Sequence, residues 1–317
     1  MNIGIIIILL LLCVGVVYIF LNNLYKRTNH FNNQFVDVRK YWDISKFPKD
    51  LELINLGSNH PKFALDYSEC NIKALNCAVG PQTFEYDFAI LRKITPYLSE
   101  GAKVVIPICL LKFWLYRQDY RGTHVKYYTF LPSGDIVNYS KSEYLKTIKY
   151  PLLFNPRLLR YVIRDIKKDS RLEADANPLK SDLELKKDAD LWINCWNKEF
   201  GIELPNPILS KTNKESIEVN VKILQDILEY CKLHGFKPII AILPVTSYLL
   251  SKFTKDFIQS HILRYINEAN VVDAPLMNYL SDDRFISPNL YFNSFFMNKI
   301  GRKKFTEVFV NDVYNIV

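Results

Sequence analysis

The 317-residue sequence is poor in glycine, cysteine and histidine, with 10, 6 and 5 of these residues. It has no glycine-rich phosphate loop, which argues against the common nucleotide-binding motifs. Its cysteines form no CxxC pair and have no metal-site spacing, and no cluster of histidines, cysteines and carboxylates replaces them. We therefore predict no cofactor and no bound metal. We also expect free, buried thiols rather than disulfides, because an odd number of cysteines follows the N-terminal apolar segment.

Charge of one sign is not in large excess either. The formal net charge is +8, and much of it comes from residues 141–187, where 12 basic residues outnumber 7 acidic ones. Because acids are interspersed and no recognition motif is present, we predict no nucleic-acid partner. A solvated face near anionic lipid headgroups is the better interpretation. Hydrophobic residues make up 49% of the chain, which is enough for one sizeable core.

An apolar run without a charge extends from Ile3 to Leu21. As a helix it would be about 28 Å long, close to the hydrocarbon thickness of a bilayer. We predict a single-pass transmembrane anchor over 1–27; a cleavable signal peptide is the alternative, but no small-residue cleavage site follows. Lys26, Arg27, Arg39 and Lys40 flank the run on its C-terminal side, which alone would place the main domain in the cytoplasm.

Alternating strand and helix patterns follow a polar linker at 28–48. They predict an α/β domain over 49–317, a three-layer α/β/α sandwich with a mainly parallel sheet. A helical and looped insertion is expected at about 110–210. The predicted strands are 51–56, 72–78, 103–108, 238–243 and 271–273. The predicted helices are 84–94, 217–231 with a capping box at 212–215, 254–267 and 298–314.

Four segments carry a resemblance to a known family. They are LGSNHPKFALDYS from Leu56, the set Asn76, Ala78, Gln82, Tyr86 and Asp87, KPIIAILPVTSYL from Lys237, and the set Phe292, Ser294, Asn298, Gly301, Phe305 and Thr306. The chain resembles the SGNH/GDSL hydrolase-like proteins of bacterial envelope polysaccharide systems, which are related to alginate O-acetylation and teichoic-acid D-alanylation proteins. The resemblance implies an SGNH or flavodoxin-like fold whose main domain lies outside the cytoplasm. It also implies cell-surface glycan and envelope biosynthesis proteins as partners.

The resemblance places the catalytic triad at Asn59, Asn293 and Phe296. An amide cannot act as the serine nucleophile, and a phenyl ring cannot accept a proton. The Gly-x-Asn-Asp block expected after the third strand is missing, and Gln82 and Asn76 are the alternatives for its asparagine. The family pattern implies substrate contacts at Gly57, Ser58, His60, Asn76, Gln82 and Asn298.

Three functions follow from this pattern. The first is a catalytically degenerate protein that binds a glycan or a partner protein. The second is an active esterase or O-acyltransferase that uses Ser58, although Ser58 is expected to hydrogen-bond backbone in its turn. The third is a cytoplasmic, membrane-tethered scaffold. Aromatic residues from Phe113 to Phe130, with Arg117, Gln118 and Asp119, predict either a sugar-binding surface or a packed core of the insertion.

Overall fold

The computed structural model describes residues 3–115, 120–167 and 180–316. Their contacts divide the chain into two compact units, one with residues 3–45 and 121–167 and the other with residues 46–115, 120 and 180–316. The predicted insertion is therefore divided between the two units. Arg117, Gln118 and Asp119 lie outside the described residues.

The described elements are as follows. The strands are β1 (Leu51–Asn55), β2 (Ala74–Asn76), β3 (Leu98–Ile108), β4 (Lys237–Ile242) and β5 (Leu276–Asn278). The α-helices are α1 (Ile3–Arg27), α2 (Asn29–Gln34), α3 (Asn59–Ala64), α4 (Phe84–Ile94), α5 (Lys141–Tyr144), α6 (Pro151–Phe154), α7 (Leu159–Lys167), α8 (Asp182–Phe200), α9 (Lys211–Leu233), α10 (Ser247–Leu250), α11 (Lys255–Ile258), α12 (Arg264–Ala269) and α13 (Lys299–Ile316). Short 3₁₀ and π turns lie between them.

The five strands form one sheet in the order β2-β1-β3-β4-β5, and every pair in it is parallel. This confirms the predicted α/β class with a parallel sheet. The last strand was predicted wrongly at 271–273. Asp273 has φ +54°, and the Asn270 side chain bonds both the N–H and the carbonyl of Ala274, each at 2.8 Å. These residues form a closed turn, and the strand begins after it at Leu276.

Both faces of the sheet are buried in the second unit. On one face, Leu53, Val105 and Ile239 pack in one cluster with Phe305 and Phe309 of α13. On the other face, Ile54, Val104 and Ile240 are also fully buried. The near-continuous apolar strands in the sequence follow from this two-sided burial, since neither face needs a polar side chain.

The C-terminal helix α13 approaches the rest of its unit closely at Gly301. A Cβ atom there would clash with the carbonyl oxygen of Leu290, so the position requires glycine. Farther along α13, the Thr306 hydroxyl accepts a 2.9 Å hydrogen bond from the Asp66 N–H. Gly301 and Thr306, two residues that carry the family resemblance, thus have packing roles.

Two local predictions differ from the structure. The helix α9 is capped by Ser210, whose Oγ accepts the Asn213 N–H at 3.1 Å, so the capping box predicted at 212–215 is wrong. The predicted insertion also starts inside the core, because Phe113 and Trp114 are fully buried after β3. Both rings lie among aromatic neighbours of the same unit, as a packed core requires.

The first unit contains α1, α2 and α5–α7. The helix α1 is long and apolar enough to cross a membrane, with a mean hydropathy of 3.2 over its most apolar window, none of which is buried. A signal sequence would have the same properties. Residues 28–48, predicted as a linker, contain α2 and several buried side chains, those of Phe31, Phe35, Val38 and Tyr41.

Candidate site at the carboxyl edge of the sheet

The carboxyl ends of β1, β3 and β4 lie side by side, at the edge of a parallel sheet where ligands usually bind. The strand β1 turns there into α3 through Gly57, which has φ +108°. A Cβ at Gly57 would come within 2.6 Å of the Pro61 ring. The turn therefore depends on glycine for both its backbone conformation and its space.

The turn at Gly57 is hydrogen-bonded to a buried ion pair formed by Asp87 and Lys112. The Gly57 N–H donates to Asp87 Oδ1 at 2.7 Å, and the Gln82 side-chain amide donates to the same oxygen. Lys112 Nζ lies 2.8 Å from Asp87 Oδ2 and 2.8 Å from the Gln82 carbonyl oxygen. Both charged side chains are 1% exposed. Each buried charge is thus compensated by the other and by hydrogen bonds.

Ser58 follows directly and begins α3. Its Oγ accepts a 3.1 Å hydrogen bond from the Gln82 N–H, so the hydroxyl oxygen connects the β1 turn to the segment before α4. The sequence predicts a backbone hydrogen bond for Ser58 within its own turn, but the partner in the structure is the N–H of Gln82, 24 residues along the chain. A hydroxyl held in this way has a structural role, and catalysis would require a base within reach of its proton.

The next predicted residues are also held by their neighbours. The side chain of Asn59 lies directly against Gly80. A Cβ atom at position 80 would clash with the Asn59 side-chain amide. The amide of Asn76 makes four hydrogen bonds: it donates to the carbonyls of Pro61 and Leu65 and accepts from Asn55 Nδ2 and the Ala78 N–H. Both N–H groups of Asn76 are therefore used by the fold and are not directed at a ligand.

His60 is buried, with 3% of its surface exposed. Its Nε2 lies 3.0 Å from the Pro244 carbonyl oxygen, which fixes the proton on Nε2. Within the described chain, Nδ1 has no hydrogen-bond partner, and the ring contacts Phe295 at 4.7 Å. Burial lowers the pKa of His60 to about 4. The imidazole is thus neutral and bound to the end of β4, and it makes no hydrogen bond to Ser58.

The loop before α13 carries Asn293 and Phe296, the other two positions at which the resemblance predicts a triad. Asn293 Oδ1 accepts the N–H groups of Phe295 at 2.9 Å and of Phe296 at 2.7 Å. The Phe296 ring is 8% exposed and packs against Phe63 at 5.2 Å and Trp192 at 5.7 Å. Phe296, which the resemblance predicts in place of the catalytic base, is therefore part of an aromatic cluster.

The same loop contains Ser294, which is fully buried and is not among the predicted site residues. Its N–H and Oγ donate to Asp188 Oδ2 at 2.8 and 2.6 Å, and its carbonyl accepts from Thr246 Oγ1 at 2.7 Å. Burial raises the pKa of Asp188, but the Ser294 hydrogen bonds and the Lys180 charge outweigh it, so the pKa lies below its usual value. These bonds fasten the loop to α8 through Asp188 and to the N-terminus of α10 through its N-cap residue Thr246.

Asn298 has a capping role. Its Oδ1 accepts the Gly301 N–H at 2.9 Å at the start of α13, and its Nδ2 donates to the Asn289 carbonyl at 2.7 Å. Among the predicted site residues, hydrogen bonds join Gly57, Ser58 and Gln82 through one network, and ring contacts join His60 to Phe296. Asn298 is fixed to its own loop instead.

Among the described residues, the hydrogen bonds of Ser58 and of His60 lead to different partners and do not connect the two side chains. In the ranges that the structure describes, no group of three histidines, cysteines or carboxylates is placed to hold a metal ion. A cavity of about 510 Å³ lies elsewhere in the unit, lined in part by Asp66, Cys70, Arg302 and Thr306. None of the predicted site residues lines it.

Three residues that build the site were not predicted from the sequence: Lys112, Asp188 and Ser294. Lys112 stood out as the one charge in the apolar run ICLLKFW, and Asp87 lies on the buried face of α4. A charge in such a run signals a buried partner. Asp188 and Ser294 are 106 residues apart, and no local pattern links them.

The low pKa of His60 predicts a specific loss of stability in mild acid. In the unfolded chain the group titrates near 6.5 and in the folded chain near 4. Protons therefore bind the unfolded state preferentially between these values. The stability is fully present above pH 6.5 and falls as the pH drops towards 4, by about 2 kcal/mol at pH 5. Urea unfolding of the full chain in detergent at pH 7 and pH 5 measures this loss.

His60→Gln is the matched control, because the glutamine amide can donate to Pro244 as Nε2 does but does not titrate. We expect the free energy of unfolding of His60→Gln to fall by about 2 kcal/mol less than that of the wild type between the two pH values. Equal losses in the two proteins would show that His60 does not titrate as described.

No protein-family model matches this sequence, and no curated protein matches it.

Proposed function

We propose that this chain is a membrane-anchored, SGNH-hydrolase-like protein of envelope polysaccharide assembly or modification. In this proposal it has lost hydrolase chemistry and acts by binding a glycan or a partner protein. The strand order β2-β1-β3-β4-β5 is that of flavodoxin-like sheets and supports the three-layer α/β/α architecture implied by the resemblance. The two-sided burial of the sheet supports the same architecture.

One observation supports the proposed loss of hydrolase activity. At the position of the base, the Phe296 ring packs among Phe63, Phe292 and Trp192. The neighbouring imidazole, His60, is held by the Pro244 carbonyl and has a pKa of about 4. A serine hydroxyl is a weak nucleophile without an adjacent base. Hydrolysis through Ser58 would need a base that the described residues do not place beside it.

The aromatic cluster also supports a binding role. Phe63, Phe292 and Trp192 are only partly buried, and Lys62 Nζ lies 5.0 Å from the centre of the Phe63 ring. Partly exposed rings can stack on the apolar faces of sugars, as they pack with other flat apolar surfaces. A glycan at this edge of the sheet would meet rings in place of a triad.

A fluorophosphonate probe, which reacts with activated serines, tests the proposal on the full chain in membranes. We expect no labelling of the wild type and no difference from Ser58→Ala, because Ser58 lacks a base. Labelling of the wild type that disappears in Ser58→Ala would establish the esterase alternative.

A second candidate is a membrane-tethered scaffold on the cytoplasmic side. Lys26 and Arg27 at the C-terminal end of α1 favour it through the positive-inside rule, whereas the family resemblance favours the outer side. A C-terminal reporter that is active only in the cytoplasm separates the two candidates, since it would be active only in the scaffold.

A further inference from the structure

In the first unit, a segment of the chain far from α1 in sequence is bound to the C-terminal half of that helix. The Tyr18 hydroxyl donates to the Tyr150 carbonyl at 3.3 Å. One turn later, Asn22 Nδ2 donates to the Lys149 carbonyl at 3.0 Å, and Asn22 Oδ1 accepts the Leu152 N–H at 3.4 Å. The helix that carries the apolar run therefore holds this segment directly.

A second set of contacts fixes α7 to the chain just after α1. The Asn29 N–H donates to Asp165 Oδ2 at 2.6 Å, and the rings of His30 and Tyr161 stack with their centres 3.5 Å apart. The stretch 144–165, here called the juxtamembrane segment, is thus attached near both of its ends to residues 18–30.

These contacts set the depth of the segment relative to the apolar run. Tyr18 lies three residues before Leu21, where the run ends, which is about 4.5 Å along a helix. If α1 spans a bilayer, Tyr150 is therefore at the boundary between hydrocarbon and headgroups. Next to it, Leu153 is 59% exposed and Phe154 is 48% exposed, and Ile163 on α7 is 51% exposed.

The charge of the segment has one dominant sign. Its exposed basic residues are Lys146, Lys149, Arg157, Arg160 and Arg164. Asp165 is an acid of α7, and its carboxylate accepts from Asn29. Exposed apolar side chains beside a row of cations at this depth suit the interface of a membrane that contains anionic lipids.

We propose that the juxtamembrane segment is a second membrane-contact site, an interfacial element that binds anionic phospholipid headgroups. Leu153 and Phe154 enter the region just below the headgroups, and the basic side chains contact the lipid phosphates. The inference rests on the anchoring by α1 that the proposed function includes. It adds that the chain lies on the bilayer surface as well as crossing it.

The test uses the full chain in vesicles of neutral phosphatidylcholine, with or without anionic phosphatidylglycerol. An environment-sensitive fluorophore is attached at Leu153→Cys after the exposed Cys13 and Cys195 are replaced by serine; the same background without the new cysteine is the blank. We expect quenching by lipid that carries a spin label near the headgroup, and protection from aqueous iodide. Lipid quenching should be roughly twofold stronger with the anionic lipid.

A charge-matched pair of variants tests the role of the cations. The variant R157Q/R160Q/R164Q should lose the dependence on anionic lipid. The variant K214Q/K232Q/K255Q removes the same amount of charge from exposed positions in the other unit. Its fluorophore quenching should still depend on anionic lipid. If lipid quenching depended on anionic lipid to the same extent in the two variants, the proposed contact with the headgroups would be wrong.

Three further outcomes would overturn the proposal in distinguishable ways. Quenching by iodide and not by spin-labelled lipid would place the segment in water. Protection that disappears at less than one chain per vesicle would show that a second copy of the chain covers the segment. Release of the whole chain by alkaline carbonate would refute the anchor itself. If the chain stays in the membrane in alkaline carbonate while iodide quenches its fluorophore, the anchor is supported and only the second membrane contact is refuted.

Discussion

Asp87→Asn and Lys112→Met are each expected to lower the free energy of unfolding by about 3–5 kcal/mol, because each leaves its partner's charge buried and unpaired. The two side chains are 1% exposed and 2.8 Å apart. Asp87 also accepts the Gly57 N–H, so the substitutions act on the turn that carries Ser58. Urea unfolding of the full chain in detergent at pH 7, followed by tryptophan fluorescence, measures the loss.

The chain offers a matched control for this ion pair. Lys222 and Asp226 on α9 also lie 2.8 Å apart, but their side chains are 59% and 38% exposed. Lys222→Met should therefore destabilise the protein far less than Lys112→Met, because solvent screens an exposed ion pair. The double variant Asp87→Asn/Lys112→Met leaves neither buried charge, so its loss should be well below the sum of the single losses. A Lys112→Met loss no larger than that of Lys222→Met would contradict the role given to the buried pair.

Much of the sheet and of the long helices could be predicted from the sequence, because their signals are local. The run PIIAIL gave β4, the four-and-three spacing from Ile217 gave α9, and Gly57 marked the turn after β1. Two-sided burial makes strands continuous in hydrophobicity, and one-sided burial makes a helix periodic. The prediction of the last strand at 271–273 failed because Val271 and Val272 lie in the turn before β5.

The supports of the site could not be predicted in the same way, because they are long-range. Asp87 pairs with Lys112, which is 25 residues away in the sequence, and Ser294 bonds Asp188, which is 106 residues away. The division into two units depends on the contacts of Asn22 and Tyr18 with residues 149, 150 and 152, more than 125 positions away. A buried charge in the sequence indicates that a partner exists but does not identify it.

The proposed function implies that the scaffold of an ester hydrolase remains at this edge of the sheet while the groups that would react are gone. Asn293 already holds the backbone of Phe295 and Phe296 with one oxygen, and an aspartate can accept the same two bonds. A serine is smaller than the Asn59 side chain that lies against Gly80. A histidine at position 296 would replace a ring with a smaller ring in the aromatic cluster. All three replacements therefore fit the described surroundings.

The triple variant N59S/N293D/F296H restores all three groups at once, and N59S/N293D lacks only the base. We expect the triple variant to react with a fluorophosphonate probe at position 59, while the wild type and N59S/N293D stay unlabelled, since a serine without a base is a weak nucleophile. The probe is applied to each full chain in membranes, and unfolding in urea verifies that each variant is folded. Labelling of the triple variant alone is the predicted result. A folded triple variant that is not labelled, or a labelled wild type, would contradict the claim.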